Sequence, residues 1–178
     1  PNLSTDFRGF QTDEDFNSRG LQTQRIEAVG QPEARTVGTT WDAAFRVPLT
    51  IVELGRTTTL TLNSRGQVLT KTFTDTRSPP PPGGLEAPRV WTYTYCNAVN
   101  LTPPDPIGFG DDLAKGCPLV GLIRRVDGPR TDIADRTTHE YRLADDVANP
   151  KTFRKGDLWK AANALGHVRE MVSRDGMG

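Results

Sequence analysis

Two cysteines, Cys96 and Cys117, stand about twenty residues apart in the chain, each next to a run that alternates like a β-strand. A disulfide between them would close a long loop and contribute about 3 kcal/mol by restricting the unfolded chain, the natural use of such a pair in an exported protein. Two buried thiols, or two ligands of a metal, are the alternatives, although no His or further Cys lies nearby to complete four ligands. His139 falls inside an alternating run and His167 directly after a glycine, with no nucleophile motif beside either, so both read as polar residues of a surface. The carboxylate pairs Asp111-Asp112, Asp132 with Asp135, and Asp145-Asp146 lack the ligand count and glycine placement of a calcium loop and read as solvated turns. Trp91, Tyr93 and Tyr95 alternate along one run and could stack against sugars; Trp41, Trp159 and Tyr141 are further candidates. Aromatic residues on strands more often pair across a sheet. No residue set predicts catalysis or a cofactor.

The elements that must position these residues are strands. The chain has 178 residues, 22 of them Thr, with 17 Gly and 14 Pro. Thr suits a pleated surface that is half buried and half wet, and frequent Gly and Pro mean frequent turns. Basic and acidic side chains balance at 22 each, which removes the electrostatic footprint of a nucleic-acid binder, and no apolar run is long enough to span a bilayer.

Self-similarity sharpens this reading. Gly9 and Gly20 enclose a segment ending Asn17-Ser18-Arg19-Gly20, and Gly55 and Gly66 enclose one of equal length ending Asn63-Ser64-Arg65-Gly66. Period-two alternation follows each. A looser copy, one residue longer, runs from Gly166 to Gly178, and a weaker one from Thr39 to Pro48 lacks its glycine. Each unit predicts strand, turn, strand, with the glycines at the turns. The stretch 155–174 also carries helical spacing through Leu158, Ala161, Leu165, Val168 and Val172, but Gly166 in its middle favours strand, turn, strand. Residues 77–88, with four consecutive prolines, and 97–118 predict long loops. The first is either a polyproline linker or an enlarged hairpin tip, and the similar strands flanking it favour the tip.

Leu54-Gly55-Arg56-Thr57-Thr58-Thr59 followed by Asn63-Ser64-Arg65-Gly66, with Trp91-Thr92-Tyr93-Thr94-Tyr95, Val126-Asp127-Gly128-Pro129-Arg130-Thr131-Asp132 and Asn163-Ala164-Leu165-Gly166-His167, resembles the YD repeat of RHS-repeat proteins. That repeat runs Gly-Arg-Thr-Thr-x-Tyr-x-Tyr-Asp-x-x-Gly-Arg. The Tyr-Asp pair is Leu62-Asn63 here, Phe16-Asn17 in the first copy and Arg174-Asp175 in the last, so a stacked Tyr ladder is lost while the apolar-then-turn pattern survives.

The resemblance implies an all-β fold, antiparallel hairpins forming part of a spirally wound shell across residues 1–178. It implies a structural, non-enzymatic role in enclosing a C-terminal toxin or effector of a bacterial secreted or cell-surface protein. The implied partners are the rest of the same polypeptide, its enclosed toxin, and a secretion-apparatus or cell-surface partner, with no nucleic acid and no membrane insertion. A carbohydrate- or protein-binding adhesion surface is the alternative. Asp105-Pro106-Ile107-Gly108-Phe109 is similar to the Asp-Pro-x-Gly-Leu signature that ends such shells beside a self-cleaving aspartate, but Phe replaces Leu and strands continue beyond it, so an ordinary turn is expected. Pro1 in place of Met suggests a piece of something longer. Asn2-Leu3-Ser4 and Asn100-Leu101-Thr102 fit the glycosylation pattern and matter in a eukaryotic source.

Overall fold

The computed structural model describes residues 2–97, 117–147 and 153–171. The fold is all-β, an open antiparallel sheet of twelve strands ordered in the sheet as in the chain, without a helix among the described residues. The strands are β1 (Asn2–Thr5), β2 (Gln11–Phe16), β3 (Gln22–Glu27), β4 (Arg35–Trp41), β5 (Pro48–Glu53), β6 (Arg56–Leu62), β7 (Val68–Asp75), β8 (Arg89–Tyr95), β9 (Ile123–Asp127), β10 (Thr137–Tyr141), β11 (Leu158–Asn163) and β12 (Val168–Glu170). The chain divides into two compact units, residues 1–90 and 91–178.

In the first unit the register sorts side chains by chemistry, because residues directly opposite one another in an antiparallel pair share a face. Thr40 lies opposite Thr50, Thr50 opposite Thr59 and Thr59 opposite Thr72. The neighbouring rows hold Val52, Thr57 and Thr74, and Thr61 with Thr70. Hydroxyls meet at 2.6 Å between Thr40 and Thr50 and again between Thr61 and Thr70. The opposite face carries Thr39, Ile51, Thr58 and Phe73 in one row and Glu53, Arg56 and Asp75 in the next. Thr58, between Ile51 and Phe73, is buried. Pro48 opens β5, a position where its missing N–H costs the ladder least.

Four connections share one construction. Asp6, Asn17, Asn63 and Asn163 each accept, through the backbone carbonyl, the N–H of the glycine three residues on, at 2.9–3.0 Å. Each side-chain Oδ1 also accepts two backbone N–H groups, two and four residues on, at 2.8–3.1 Å. The glycines Gly9, Gly20, Gly66 and Gly166 have φ between 70 and 85°, a conformation that disfavours other residues. Gly55 belongs to a different turn, the two-residue link Leu54-Gly55 between β5 and β6. The equal spacing from Gly9 to Gly20 and from Gly55 to Gly66 therefore hides strands of six and seven residues entered from unlike turns. Where the weaker copy lacks its glycine, Asp42 substitutes by accepting the N–H groups of Ala44 and Phe45, both at 2.8 Å.

These turns also touch one another. The Arg19 guanidinium donates to the carbonyls of Asp42 at 2.6 Å, Ala43 at 2.8 Å and Phe45 at 3.1 Å, joining the 17–20 turn to the 42–47 turn. The Phe45 ring in turn lies on Gly66, where a Cβ would stand 2.5 Å from the ring carbon Cγ.

The 76–88 loop returns to its own origin. The Glu86 N–H donates to the Asp75 carboxylate at 3.1 Å, although eleven residues of extended polyproline would span about 34 Å. The loop is thus a closed tip.

In the second unit, Thr92–Tyr95 pairs with Asp127–Ile123, β10 pairs with β9 and β11, and β11 pairs with β12. Residues 158–170 form strand, turn, strand about the Asn163 turn, and the positive φ of Gly166 is what breaks the helical spacing. The Arg142 guanidinium lies 4.4 Å from the Phe153 ring and 4.7 Å from Trp159, while the Lys160 ammonium sits 4.1 Å from Trp159. The Trp159 indole donates to Glu170 at 2.7 Å.

What the sheet lacks is an interior. Among the described residues the buried hydrophobics are Leu21, Cys96, Cys117 and Ala162, and no large side chain is fully buried. Exposed apolar side chains include Phe7, Leu54 and Val147, each at least 90% exposed.

Candidate functional site

Cys96 and Cys117 form a disulfide with their Cα atoms 5.5 Å apart, and both residues are 2% exposed. Backbone bonds close the same neck, Cys96 N–H to the Leu122 carbonyl and Gly121 N–H to the Cys96 carbonyl, each at 2.8 Å. The covalent link therefore reinforces an existing rung. Most of the 97–118 loop, with Asp105 and Asp111-Asp112, lies outside the described residues, as do Asn100, Arg174 and Gly178.

Trp91, Tyr93 and Tyr95 share a face of β8, with Tyr93 opposite Val126 and Tyr95 opposite Ile123. All three are half-buried. Burial, with the neighbouring Tyr93 adding, pushes the Tyr95 phenol above its usual range. Burial likewise raises Tyr141, whose hydroxyl donates to the Ile123 carbonyl at 2.6 Å. These rings are thus partly covered and partly open to solvent.

His139 sits opposite Ala161, and burial holds its imidazole below the usual histidine range despite a hydrogen bond with the Arg124 backbone. Its Nδ1 is buried without a hydrogen-bond partner. His167 belongs to the Asn163 turn, its Nδ1 3.5 Å from Asn163 Nδ2. Asp132 is held below its usual range by the Arg130 guanidinium 2.7 Å away, and Asp135 accepts the Arg130 N–H at 2.9 Å while lying over Gly128. Asp145 accepts the Lys155 N–H at 2.9 Å. These three carboxylates thus shape loops.

A cluster of charge pairs that the sequence analysis did not single out lies by the 76–88 loop. Glu53, only 15% exposed, accepts from Arg35 at 2.5 Å and from Arg56, whose Nε is 3.1 Å away. Arg56 and then Arg35 hold the Glu53 carboxyl below its usual range against the cost of burial. Asp75 is gripped by Arg77 through Nε at 2.9 and 3.1 Å and Nη2 at 2.5 Å, and by the backbone N–H groups of Arg77 and Glu86. Its carboxyl is held far below the usual range, chiefly by Arg77. Arg89 meets Glu86 at 2.6 Å, and Arg56 lies 5.2 Å over the Phe73 ring, which Lys71 also approaches at 4.6 Å. A cleft of about 290 Å³ opens among these groups. Arg19 and Arg142 are further residues that the sequence reading missed; for Arg19 the repeated Asn-Ser-Arg-Gly was an available signal.

No protein-family model matches the chain, and no curated protein matches it in sequence.

Proposed function

We propose that this chain is a section of wall in an RHS/YD-repeat β-shell that encloses and helps deliver a C-terminal toxin or effector, in an exported or cell-surface bacterial protein. The observation that carries the reading is a twelve-strand hairpin sheet with almost no interior of its own. A lone sheet of this kind leaves apolar side chains uncovered on its faces and backbone groups unpaired at its edges, and neighbouring strands and an enclosed polypeptide are what would cover them. The repeated Asn-Ser-Arg-Gly turns and the closed Cys96–Cys117 neck support it, the disulfide fitting an oxidising compartment. The wall performs no reaction; its work is pairing, closure and exclusion.

The test is expression of the complete coding region followed by limited proteolysis. A C-terminal domain that resists protease while held in the intact protein, and is digested once the protein is denatured, supports the shell. Free digestion of that domain, or adhesion modules and a membrane anchor in its place, overturns it.

A further inference from the structure

The cleft under the 76–88 loop gathers three guanidinium groups, Arg56, Arg77 and Arg89, around Phe73, Asp75 and Glu86. A guanidinium offers five N–H donors in a fixed plane. Arg56 spends Nε and Nη2 on Glu53, Arg77 spends Nε and Nη2 on Asp75, and Arg89 spends Nη2 on Glu86. Each leaves donors over.

The carboxylates have less to spare. Both oxygens of Glu53 are taken by Arg35 and Arg56, and Asp75 is saturated by Arg77 and two backbone N–H groups. Among the residues that line the cleft, Arg56, Arg77 and Arg89 outnumber Asp75 and Glu86 by one charge. That surplus borders an opening, where it attracts an anion instead of being neutralised within the fold.

The donors are also held in place. Arg56 rests over the Phe73 ring at 5.2 Å, and the Arg77 stem lies so close to Gly55 that a Cβ there would stand 2.7 Å from its Cγ. Side chains fixed before binding lose less entropy on binding.

We infer that this cleft is a binding site for a small oxyanion group, a carboxylate or sulfate received by Arg56, Arg77 and Arg89. Glu86 is its internal competitor, occupying Arg89 at 2.6 Å and reaching Arg77 at 3.7 Å until the ligand arrives. The site stands whether or not the shell reading does.

The experiment titrates the whole chain at low ionic strength with sodium sulfate, sodium glucuronate and, as a neutral control, glucose, following the backbone amides of Gly55, Thr74 and Ala87 by NMR. Saturable shifts with the anions and none with glucose are expected. Arg89→Ala, at an exposed position, should weaken binding about tenfold, and Glu86→Gln should strengthen it by freeing Arg89. Tighter glucuronate than sulfate identifies an organic acid as the source of the group; sulfate equal to or tighter than glucuronate identifies an inorganic oxyanion. Linear, unsaturated shifts with both anions, or identical affinity in Arg89→Ala, overturn the assignment.

Discussion

Residues 1–90 and residues 91–178 share a trait, a sheet with scarcely any core among the described residues, and meet it with different chemistry. The first unit relies on turns that fasten to one another: Arg19 on the carbonyls of the 42–47 turn, Phe45 on Gly66. The second uses a buried disulfide and a guanidinium within reach of two aromatic rings. Repeated local chemistry suffices where hairpins are short and regular. A covalent neck serves where a long loop interrupts them, because loop closure is where chain entropy is lost.

This contrast can be broken experimentally. Replacing both Cys96 and Cys117 by Ser should cost the second unit about 3 kcal/mol, read in urea melts followed by residue-resolved hydrogen exchange, while amides of the first unit keep their protection. Equal loss in both units would show that they do not respond separately. In the first unit Gly66→Ala should cost about 2 kcal/mol, since it forces a Cβ into positive φ and into the Phe45 ring. Part of that penalty should vanish in a Phe45→Ala background, and strict additivity in the double mutant would refute the contact.

The Asn turn is common to both units and so sharpens the comparison. Asn63→Ala and Asn163→Ala should each cost about 1 kcal/mol in thermal melts, as each loses two backbone donors' acceptor. Arg19→Ala should cost somewhat less, about 0.5–1 kcal/mol, and Arg19→Lys should not restore it, because an ammonium cannot spread over three carbonyls.

The smallest effect is one of pH. His139 binds its proton less readily folded than unfolded, so its contribution is present at neutral pH and is lost as pH falls through the ordinary histidine value of 6.5 toward the depressed folded value. Glu53 and Asp75, depressed in the folded state, contribute above their ordinary values of 4.5 and 3.8 and lose that contribution only as pH falls below them. Acidification from pH 7 to 5 should therefore loosen the second unit before the first, as exchange rates near His139 would report. An identical acid response in both would contradict the assignment.

The strands and their turns were legible in the sequence because both are local. Thr57 to Leu62 alternates visibly, and Asn63 and Gly66 state the turn in two letters. Strand, turn, strand over 158–170 was legible for the same reason, once Gly166 outweighed helical spacing. The oxyanion cleft was not: Glu53 with Arg56, Asp75 with Arg77 and Glu86 with Arg89 are near neighbours in sequence, but Arg35 reaches Glu53 from another strand, and the pairs are gathered into one cleft only by cross-strand register and a loop that doubles back. The Arg142 contacts were hidden similarly, Trp159 being the extra residue of a β-bulge opposite Glu140 and Tyr141 and Phe153 lying in the loop between β10 and β11. The difference between Gly9 and Gly55 escaped because equal spacing masks unlike turns.

The Cys96–Cys117 bond also has a mechanical meaning. In a sheet whose strand order is its chain order, tension along the chain opens neighbouring rungs in succession, and every freed residue lengthens the tether. The disulfide spans 21 residues, so it withholds about 70 Å of slack that the loop would otherwise release. A pulled molecule would yield length hairpin by hairpin on either side of this neck, while the tension would pass through the disulfide and the segment between the two cysteines would lend no length until a covalent bond broke.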